Sequence, residues 1–187
     1  MQGPGGPDED RSGEFDRGGW LVPYANEEMG RFVDNWFAEA DSFLLGRKTY
    51  EIFASYWPLV TDGDNQVATK LNTLPKYVAS TSLAGVDWHN STLLKGDVAA
   101  AVAKLKDQPG RELQVHGSGT LVGTLMNHDL IDEYRLWIFP VVVGKGRHLF
   151  TDEALPAALK LAETKTTSTG VVIHVYQPAG KPVYGSF

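Results

Sequence analysis

Apolar side chains recur along this chain first with the period of a helix and then with the period of a strand. Residues 26–40 carry an apolar stripe at helical spacing, and Asn26 is placed to cap the start of that helix. The apolar run at residues 42–45 is typical of a short buried strand. A second helix is predicted over residues 50–56, and Pro58 ends it because proline lacks a backbone N–H.

Strand and helix continue to alternate through the middle of the chain. We predict strands at residues 76–80, 91–94 and 112–116, and helices at residues 64–74, 97–106 and 119–128. The last part has a strand at residues 133–140 and then two strands, 158–167 and 171–177, joined by the turn Ser168-Thr169-Gly170. This order predicts an α/β fold of three layers, with a central mixed sheet and a C-terminal antiparallel hairpin.

Residues 1–23 follow neither period. They are rich in Gly, Pro, Asp and Arg, which predicts a flexible, exposed loop. The whole chain has 187 residues, a length at which one domain can build a core of its own. The sequence shows no internal repeat and no second domain. We therefore predict a single domain over residues 1–187.

Charge and composition narrow the classes of partner. The chain carries 17 Lys and Arg against 23 Asp and Glu, and it has no long basic run, so we expect no nucleic-acid partner. No apolar stretch reaches membrane-spanning length and the N-terminus has no secretion signal, so we expect a cytoplasmic protein without a membrane partner. Cysteine is absent and the histidines lack metal-ligand spacing, so we expect no metal site.

A glycine turn before the helix at residues 119–128 is the most informative local feature. Gly117, Ser118 and Gly119 form this turn, which exposes backbone N–H groups at the start of the helix. Gly117 and Gly119 have no Cβ, so a phosphate can approach the main chain closely. Such amides at a helix start bind phosphate well. The turn alone is a weak signal, because glycines before helices are common in proteins that bind nothing.

Two further strand ends carry chemistry suited to phosphate. Residues 46–49 (GRKT) follow the strand at residues 42–45, and residues 80–82 (STS) come at the end of the strand at residues 76–80. Ligands of α/β sheets bind at the carboxyl ends of the strands. Three such turns along one sheet favour a dinucleotide over a single phosphate.

Four segments, in order along the chain, resemble motifs of the dihydrofolate reductase superfamily. They are residues 44–51 (LLGRKTYE), 78–81 (VAST), 115–119 (VHGSG) and 136–146 (LWIFPVVVGKG). The resemblance extends over residues 3–178. It is closest to the C-terminal reductase domain of the bifunctional riboflavin-biosynthesis deaminase-reductases, here as a free-standing domain, and it implies a dihydrofolate reductase-like fold.

The resemblance implies an NADPH-dependent reductase that transfers a hydride to a small heterocyclic or ribosylamino-pyrimidine-like substrate, similar to 5-amino-6-(5-phosphoribosylamino)uracil reductase. The cofactor-binding residues that it implies are Gly46, Arg47, Lys48, Thr49, Ser80, Thr81, Gly117, Ser118, Gly119 and Thr120. The first four would lie near phosphates, the next two beside the adenine ribose, and the rest beneath the pyrophosphate. For Arg47 and Lys48 the alternative is an ordinary solvated helix start.

Glu28 is the catalytic residue that the resemblance implies. In the folate branch of the superfamily, an acid on the first helix helps to protonate the substrate, and Glu28 lies near the corresponding place. An acidic residue in the first turn of a helix also interacts favourably with the helix dipole, which is the alternative role.

Two functions of other classes fit the same sequence. One is a non-catalytic nucleotide-binding or regulatory module on this fold. The other is an interaction protein in which the five tryptophans serve only packing or a dimer. The phosphate-type turns favour the reductase. The resemblance also implies a small-molecule substrate and a homodimer.

The chain departs from the family at its start. Members of the family open with an apolar strand before a Gly-Pro loop, whereas this chain begins inside that loop, at Met1. Loss of a central strand leaves backbone groups of its neighbours unpaired, which is costly when they are buried. We expect that the functional protein begins upstream of Met1 and that this chain lacks the family's first strand. A divergent protein that manages without the strand is the alternative.

Overall fold

A four-stranded parallel sheet organises the middle of the chain in a computed structural model that describes residues 1–151 and 154–187. The described residues form two compact units. One unit is Gly30–Thr124, here called the parallel-sheet unit, and the other combines Met1–Met29 with Leu125–Phe187, here called the hairpin unit. The single-domain organisation stays a prediction.

Helices and strands follow one another in the predicted order. The described helices are α1 (Glu27–Glu39), α2 (Arg47–Tyr56), α3 (Gln66–Thr73), α4 (Val98–Lys106) and α5 (Gly119–Asn127). The strands are β1 (Ala40–Gly46), β2 (Lys76–Ala79), β3 (Ser91–Leu94), β4 (Glu112–Val115), β5 (Tyr134–Ile138), β6 (Leu159–Thr166) and β7 (Val172–Pro178). Among them, no helix has the length and apolar character that a membrane crossing requires.

Helix α2 begins earlier than the apolar pattern predicts. Its first residue is Arg47, directly after Gly46, the last residue of β1. Lys48 and Thr49 therefore belong to the first helical turn rather than to a separate loop. The pattern missed this start because the apolar stripe by which the helix is recognised begins only at Tyr50.

The parallel sheet has the strand order β3-β2-β1-β4, so β1 lies between β2 and β4. Gly46 of β1 pairs with Ala79 of β2. Two residues earlier in β1, Leu44 pairs with Val115 of β4. The carboxyl ends of these three strands consequently lie side by side at one edge of the sheet.

Strand β1 is a nearly continuous apolar run because both of its faces are covered. Phe43, Leu44 and Leu45 are fully buried. The core around this strand consists of Phe37, Ala40, Phe43, Leu45, Tyr50, Leu71, Val78 and Trp88. Burying one large apolar side chain contributes roughly 1.5–3 kcal/mol to folding, so this core holds β1 firmly beneath the strand ends.

An antiparallel sheet of order β5-β7-β6 characterises the hairpin unit. A tight turn joins β6 to β7, in which Gly170 has a φ of 82° and the Thr167 N–H donates to the Val171 carbonyl over 2.9 Å. Ile173 of β7 is buried, whereas every residue of β6 except Leu159 is exposed. Strand β6 is thus an exposed edge strand.

The α/β class, with parallel strands and a C-terminal antiparallel hairpin, is confirmed. One detail differs from the prediction of a single mixed sheet. The described strands form one parallel sheet and a separate antiparallel sheet, and no described strand pairs in both. A pattern of apolar positions identifies strands but does not fix which strands share a ladder.

Residues 1–23 are not uniformly exposed, contrary to the expectation from their composition. Gln2, Asp10 and Phe15 are buried within the hairpin unit. The Gln2 side-chain amide donates to the Asp10 carbonyl over 3.2 Å, and the Trp20 indole N–H donates to the Gln2 carbonyl over 2.9 Å. Hydrogen bonds rather than an apolar period organise this segment, which is why the pattern did not indicate it.

Candidate functional site

The candidate site is the edge of the parallel sheet where β1 and β4 end. Helix α2 starts directly after β1 at Arg47, and helix α5 starts at Gly119, four residues after β4 ends at Val115. Because β1 and β4 pair in parallel, the two helix starts follow neighbouring strands at the same edge. The turns at residues 46–49 and 117–119, which the sequence suggests as phosphate sites, therefore lie at the same edge, and binding of a ligand there stays a prediction.

Ser118 links the two turns. Its hydroxyl oxygen accepts a hydrogen bond from the Gly46 N–H over 2.9 Å. The same hydroxyl lies 3.0 Å from the Thr49 hydroxyl and 3.2 Å from the His116 carbonyl, to either of which it can donate its proton. Ser118 has a φ of 62°, a conformation unusual for a residue with a side chain. These hydrogen bonds offset the cost of that conformation.

The two turns lie in close contact at Gly46 and Gly117. A Cβ atom at Gly46 would lie 3.2 Å from the Ser118 side chain. At Gly117, where φ is 58°, a Cβ would lie 3.4 Å from the Thr49 hydroxyl oxygen. Glycine at position 117 is therefore needed for its backbone conformation, and glycine at position 46 is needed for close approach.

The starts of α2 and α5 differ from those of the other helices in their capping. The Val122 N–H donates to the Ser118 carbonyl over 2.9 Å, which makes Ser118 the N-cap of α5, yet its hydroxyl bonds to the α2 turn. The N-cap of α2, Gly46, makes no side-chain capping bond. By contrast, side-chain oxygens of Asn65 and Asp97 cap α3 and α4.

This difference in capping creates positive potential at the sheet edge. The first amides of any helix lack partners inside the helix, and the helix dipole is positive at that end. At α2 and α5 these amides are not taken up by the N-cap side chain of their own helix. Two helix starts of this kind on neighbouring strands are suited to hold two or more anionic groups, as a pyrophosphate presents.

Arg47 and Lys48 lie in the first turn of α2, a position that fits both a phosphate site and the alternative of a solvated helix start. Arg47 is exposed, and its guanidinium forms an ion pair with Glu51 on the next turn at 3.0 Å. An exposed pair of this kind contributes about 0–1 kcal/mol, so exchanging Glu51 for a phosphate costs little. Lys48 is half-buried.

Two residues with hydroxyl groups, Ser80 and Thr81, follow β2, and only the second is accessible to solvent. Ser80 is buried, and its hydroxyl oxygen accepts hydrogen bonds from the N–H groups of Ser82 (3.1 Å) and Leu83 (3.0 Å). Ser80 therefore stabilises its own turn. Thr81 is exposed beside it. Since Ala79 pairs with Gly46, this turn follows the next strand along the same edge.

Glu28 lies in the hairpin unit, not among the residues of the parallel-sheet unit described above. Its carboxylate accepts a hydrogen bond from the Ser168 N–H over 2.9 Å. Beside it, the Asn26 side-chain amide donates to the Ser168 hydroxyl over 3.0 Å. This carboxylate thus helps to hold the β6–β7 turn, a role that the sequence did not indicate; catalysis by Glu28 stays a prediction.

Sequence reasoning missed a polar network beneath the glycine turn. The His116 ring packs against Phe37 and Phe43, with ring centroids 4.7 Å and 5.6 Å apart. Its Nε2 lies 3.1 Å from the side-chain oxygen of Gln114, which is buried and whose side-chain amide donates to the Trp36 carbonyl. Gln114 and His116 are two residues apart at the end of β4, and this spacing was the available signal, because such residues share one face of an extended chain.

In the described part of the chain, no group of three or more His, Asp or Glu side chains is arranged to hold a metal ion.

Comparison with known proteins identifies the class. Residues 6–173 match the model of the RibD C-terminal domain family. The chain belongs to this family.

Relatives of the chain include two proteins of Bacillus subtilis. YyaP, which is uncharacterised, is 34% identical over 170 residues, covering 90% of this chain and 86% of YyaP. YwjB, also uncharacterised, is 28% identical over 155 residues and covers 83% of each chain.

Solved structures share the fold at lower identity. A proposed riboflavin biosynthesis protein from Shewanella sp. PV-4 has a TM-score of 0.67 at 21% identity, with 86% of each chain covered. A pyrimidine reductase-like protein from Corynebacterium diphtheriae has a TM-score of 0.61 at 12% identity, with 85% of this chain and 84% of that chain covered. The deaminase/reductase of Thermotoga maritima has a TM-score of 0.59 at 12% identity, and this chain spans 54% of it.

Proposed function

We propose that this protein is an NADPH-dependent reductase that transfers a hydride to a small heterocyclic or ribosylamino-pyrimidine-like substrate. The observation that carries the proposal is the pair of helix starts, α2 and α5, which Ser118 joins at the edge of the parallel sheet. Membership of the RibD C-terminal domain family supports it. So does similarity in fold to a pyrimidine reductase-like protein and to a deaminase/5-amino-6-(5-phosphoribosylamino)uracil reductase.

The residues at the sheet edge fit a dinucleotide. Gly117 has no Cβ, so the backbone at the start of α5 is open to a pyrophosphate. The amides of Gly119 and Thr120 would bind that group, and Arg47 would pair with a further phosphate once it leaves Glu51. Lys48 adds positive charge in the same helical turn.

The remaining site residues would either hold the two helix starts in place or serve the contact with the adenine ribose. Ser118 and Thr49 would keep the two helix starts at a fixed separation. Thr81 offers a hydroxyl for the adenine ribose, and Ser80 holds the turn that presents it. NADPH supplies the hydride, whereas the protein binds the cofactor, orients it and excludes water.

Glu28 is the proposed proton donor. Its observed hydrogen bond from the Ser168 N–H fixes one carboxylate oxygen and with it the orientation of the side chain. A Glu28→Gln variant keeps the hydrogen-bond acceptor but loses the acidic proton. If Glu28 protonates the substrate, kcat falls while the dissociation constant of NADPH does not change. If it only holds the turn, both values remain as in the wild type.

The proposal is tested by NADPH oxidation against a panel of pyrimidine, pterin and quinone acceptors, together with tryptophan fluorescence titrations of NADPH and NADH. We expect NADPH binding below millimolar concentration and turnover of at least one acceptor of the heterocyclic class. Binding without turnover would favour the non-catalytic nucleotide-binding module. Absence of binding by either coenzyme would reject the proposal.

A further inference from the structure

A cavity of about 150 Å³ lies within the hairpin unit, between the first residues of the chain and the loop at residues 143–148. Its lining includes aromatic and cationic side chains, namely Phe15, Trp20, Lys145, Arg147 and His148. The described lining shares no residue with the proposed cofactor site. The cavity therefore calls for an explanation of its own.

Close packing shapes one wall of the cavity. Gly144 and Gly146 have φ values of 88° and 128°, which residues with side chains rarely adopt. A Cβ at Gly144 would lie 2.5 Å from the Arg17 guanidinium, and a Cβ at Gly146 would lie 3.1 Å from the Phe15 ring. Arg17 also donates to the Val143 carbonyl. The loop is thus fastened to the N-terminal segment rather than merely lying near it.

The charge of the lining selects for an anion. Lys145, Arg147 and the histidine contribute the ionisable side chains, and no Asp or Glu occurs among the described lining residues, although the chain has a net charge of −6. The Arg147 guanidinium donates to the Ser12 hydroxyl over 3.0 Å, which holds it in place. Lys145 lies 3.9 Å from Asp16, an exposed carboxylate that weakly compensates its charge.

The volume and the aromatic residues limit the size and shape of the ligand. Pockets for drug-sized ligands span roughly 300–1,000 Å³, so this cavity is too small for a dinucleotide. A volume of about 150 Å³ is large enough for one six-membered ring, and this cavity is open to solvent on the side of residues 144–148, which are exposed. The Trp20 ring is held by its N–H bond to the Gln2 carbonyl and by an edge contact with Phe139, with ring centroids 5.2 Å apart. A fixed indole ring favours a planar partner.

We propose that this cavity binds a small planar anion, a single aromatic or heteroaromatic ring that carries a carboxylate. The ring packs against Trp20, and the carboxylate pairs with Arg147 and Lys145. Arginine is well suited to this partner because its planar guanidinium matches the geometry of a carboxylate. The site is additional to the proposed reductase function and does not depend on it.

The test is isothermal titration of the protein with three probes: benzoate, benzamide and inorganic phosphate. Benzoate has the ring and the charge, benzamide has the ring alone, and phosphate has charge alone. We expect saturable binding of benzoate and at least about tenfold weaker binding of the other two, since benzamide lacks the charge that pairs with Arg147 and phosphate lacks the ring that packs against Trp20.

Variants locate the binding. Arg147→Gln and Lys145→Gln should each weaken benzoate binding by about tenfold. Lys145 is exposed, so its variant retains the fold even if the arginine variant does not. Lys160→Gln removes an exposed lysine of β6 in the same unit and should leave the affinity unchanged.

Three results would overturn the proposal: no saturable binding of benzoate, equal affinity for benzoate and either control probe, or no effect of either cavity variant. Because the cavity lining and the cofactor site share no residue, the proposal and the reductase function fail separately. NADPH binding with no benzoate binding rejects only the cavity. Benzoate binding without NADPH binding rejects only the cofactor site.

Discussion

At the residue scale, Ser118 has the most specific role in the candidate site. It combines a positive φ with three short polar contacts, to Gly46, Thr49 and His116. A serine in the N-cap position usually caps its own helix. Here the hydroxyl bonds to the turn at the start of α2 instead. The first backbone amides of α5 are therefore available to a ligand.

Replacement of Ser118 by alanine should therefore affect both stability and binding. Ser118→Ala leaves the Gly46 N–H without its acceptor and should lower the free energy of unfolding by about 1–3 kcal/mol in denaturant titrations. NADPH affinity should fall as well, because the helix starts lose their link. Ser91→Ala is the control, since the Ser91 hydroxyl is buried with no hydrogen-bond partner among the described residues and its loss should be neutral. Equal effects of the two variants would contradict the assigned role of Ser118.

The burial of Lys76 leads to a prediction of how the free energy of unfolding depends on pH. This lysine is fully buried, its ammonium group donates to the carbonyls of Leu71 (2.7 Å) and Leu74 (2.8 Å), and it lies 4.6 Å from the centroid of the Trp88 ring. Burial lowers the pKa of Lys76 from 10.5 to about 8. Between those two values the unfolded chain binds more protons at this position than the folded chain.

The free energy of unfolding should therefore increase with pH in that window, by at most about 1.4 kcal/mol per pH unit from Lys76. Denaturant titrations from pH 7 to pH 10 on the wild type and Lys76→Met measure the difference. The increase should be missing in the variant and retained in Lys104→Met, which removes an exposed lysine. A pH dependence that is identical in wild type and Lys76→Met would refute the shifted pKa.

Among the helices and strands, the candidate site is defined by where β1 and β4 end and where α2 and α5 begin. The sequence predicted the order of strands and helices because the apolar periods of β1, α4 and α5 are clear. It also identified the glycine turns. It did not show that α2 begins at Arg47, since the first turn is polar, nor that the Ser118 hydroxyl points to Gly46. That contact depends on the register between β1 and β4, which a local pattern does not contain.

Alanine substitutions at Gly117, before α5, and at Gly123, inside α5, can be compared directly. Gly117→Ala forces alanine into a φ of 58° with its Cβ 3.4 Å from the Thr49 hydroxyl, so it should destabilise the protein and weaken NADPH binding. Gly123 lies inside α5 and a Cβ there meets nothing within 4 Å. Gly123→Ala should raise the free energy of unfolding by about 0.5–1 kcal/mol. The assigned role of the turn fails if Gly117→Ala proves as harmless as Gly123→Ala.

At the scale of the whole molecule, a homodimer is proposed through the exposed edge strand β6. Two copies of one edge strand can pair in antiparallel fashion about a two-fold axis, which makes the contact self-complementary. Leu161 of β6 is 46% exposed, which an intermolecular sheet would reduce. The paired sheets of two copies would also protect the edge from aggregation.

Sedimentation velocity tests this dimer. The wild type should sediment as a dimer at micromolar concentration, and Leu161→Lys should shift it to the monomer. Leu155→Lys is the control, because Leu155 is also exposed, at 57%, but lies outside the strand. A monomeric wild type, or a dimer that Leu161→Lys does not affect, would exclude this interface.

Backbone amide NMR during an NADPH titration observes the N–H groups that are proposed to hold the phosphates. We expect the largest changes in amide chemical shift in the first turns of α5 and α2, at Gly119, Thr120, Arg47 and Lys48. NADH, which lacks the extra phosphate, should produce smaller changes at Arg47. If saturating NADPH leaves these amides unshifted, or shifts only amides elsewhere, the proposed phosphate site at the starts of α2 and α5 is wrong.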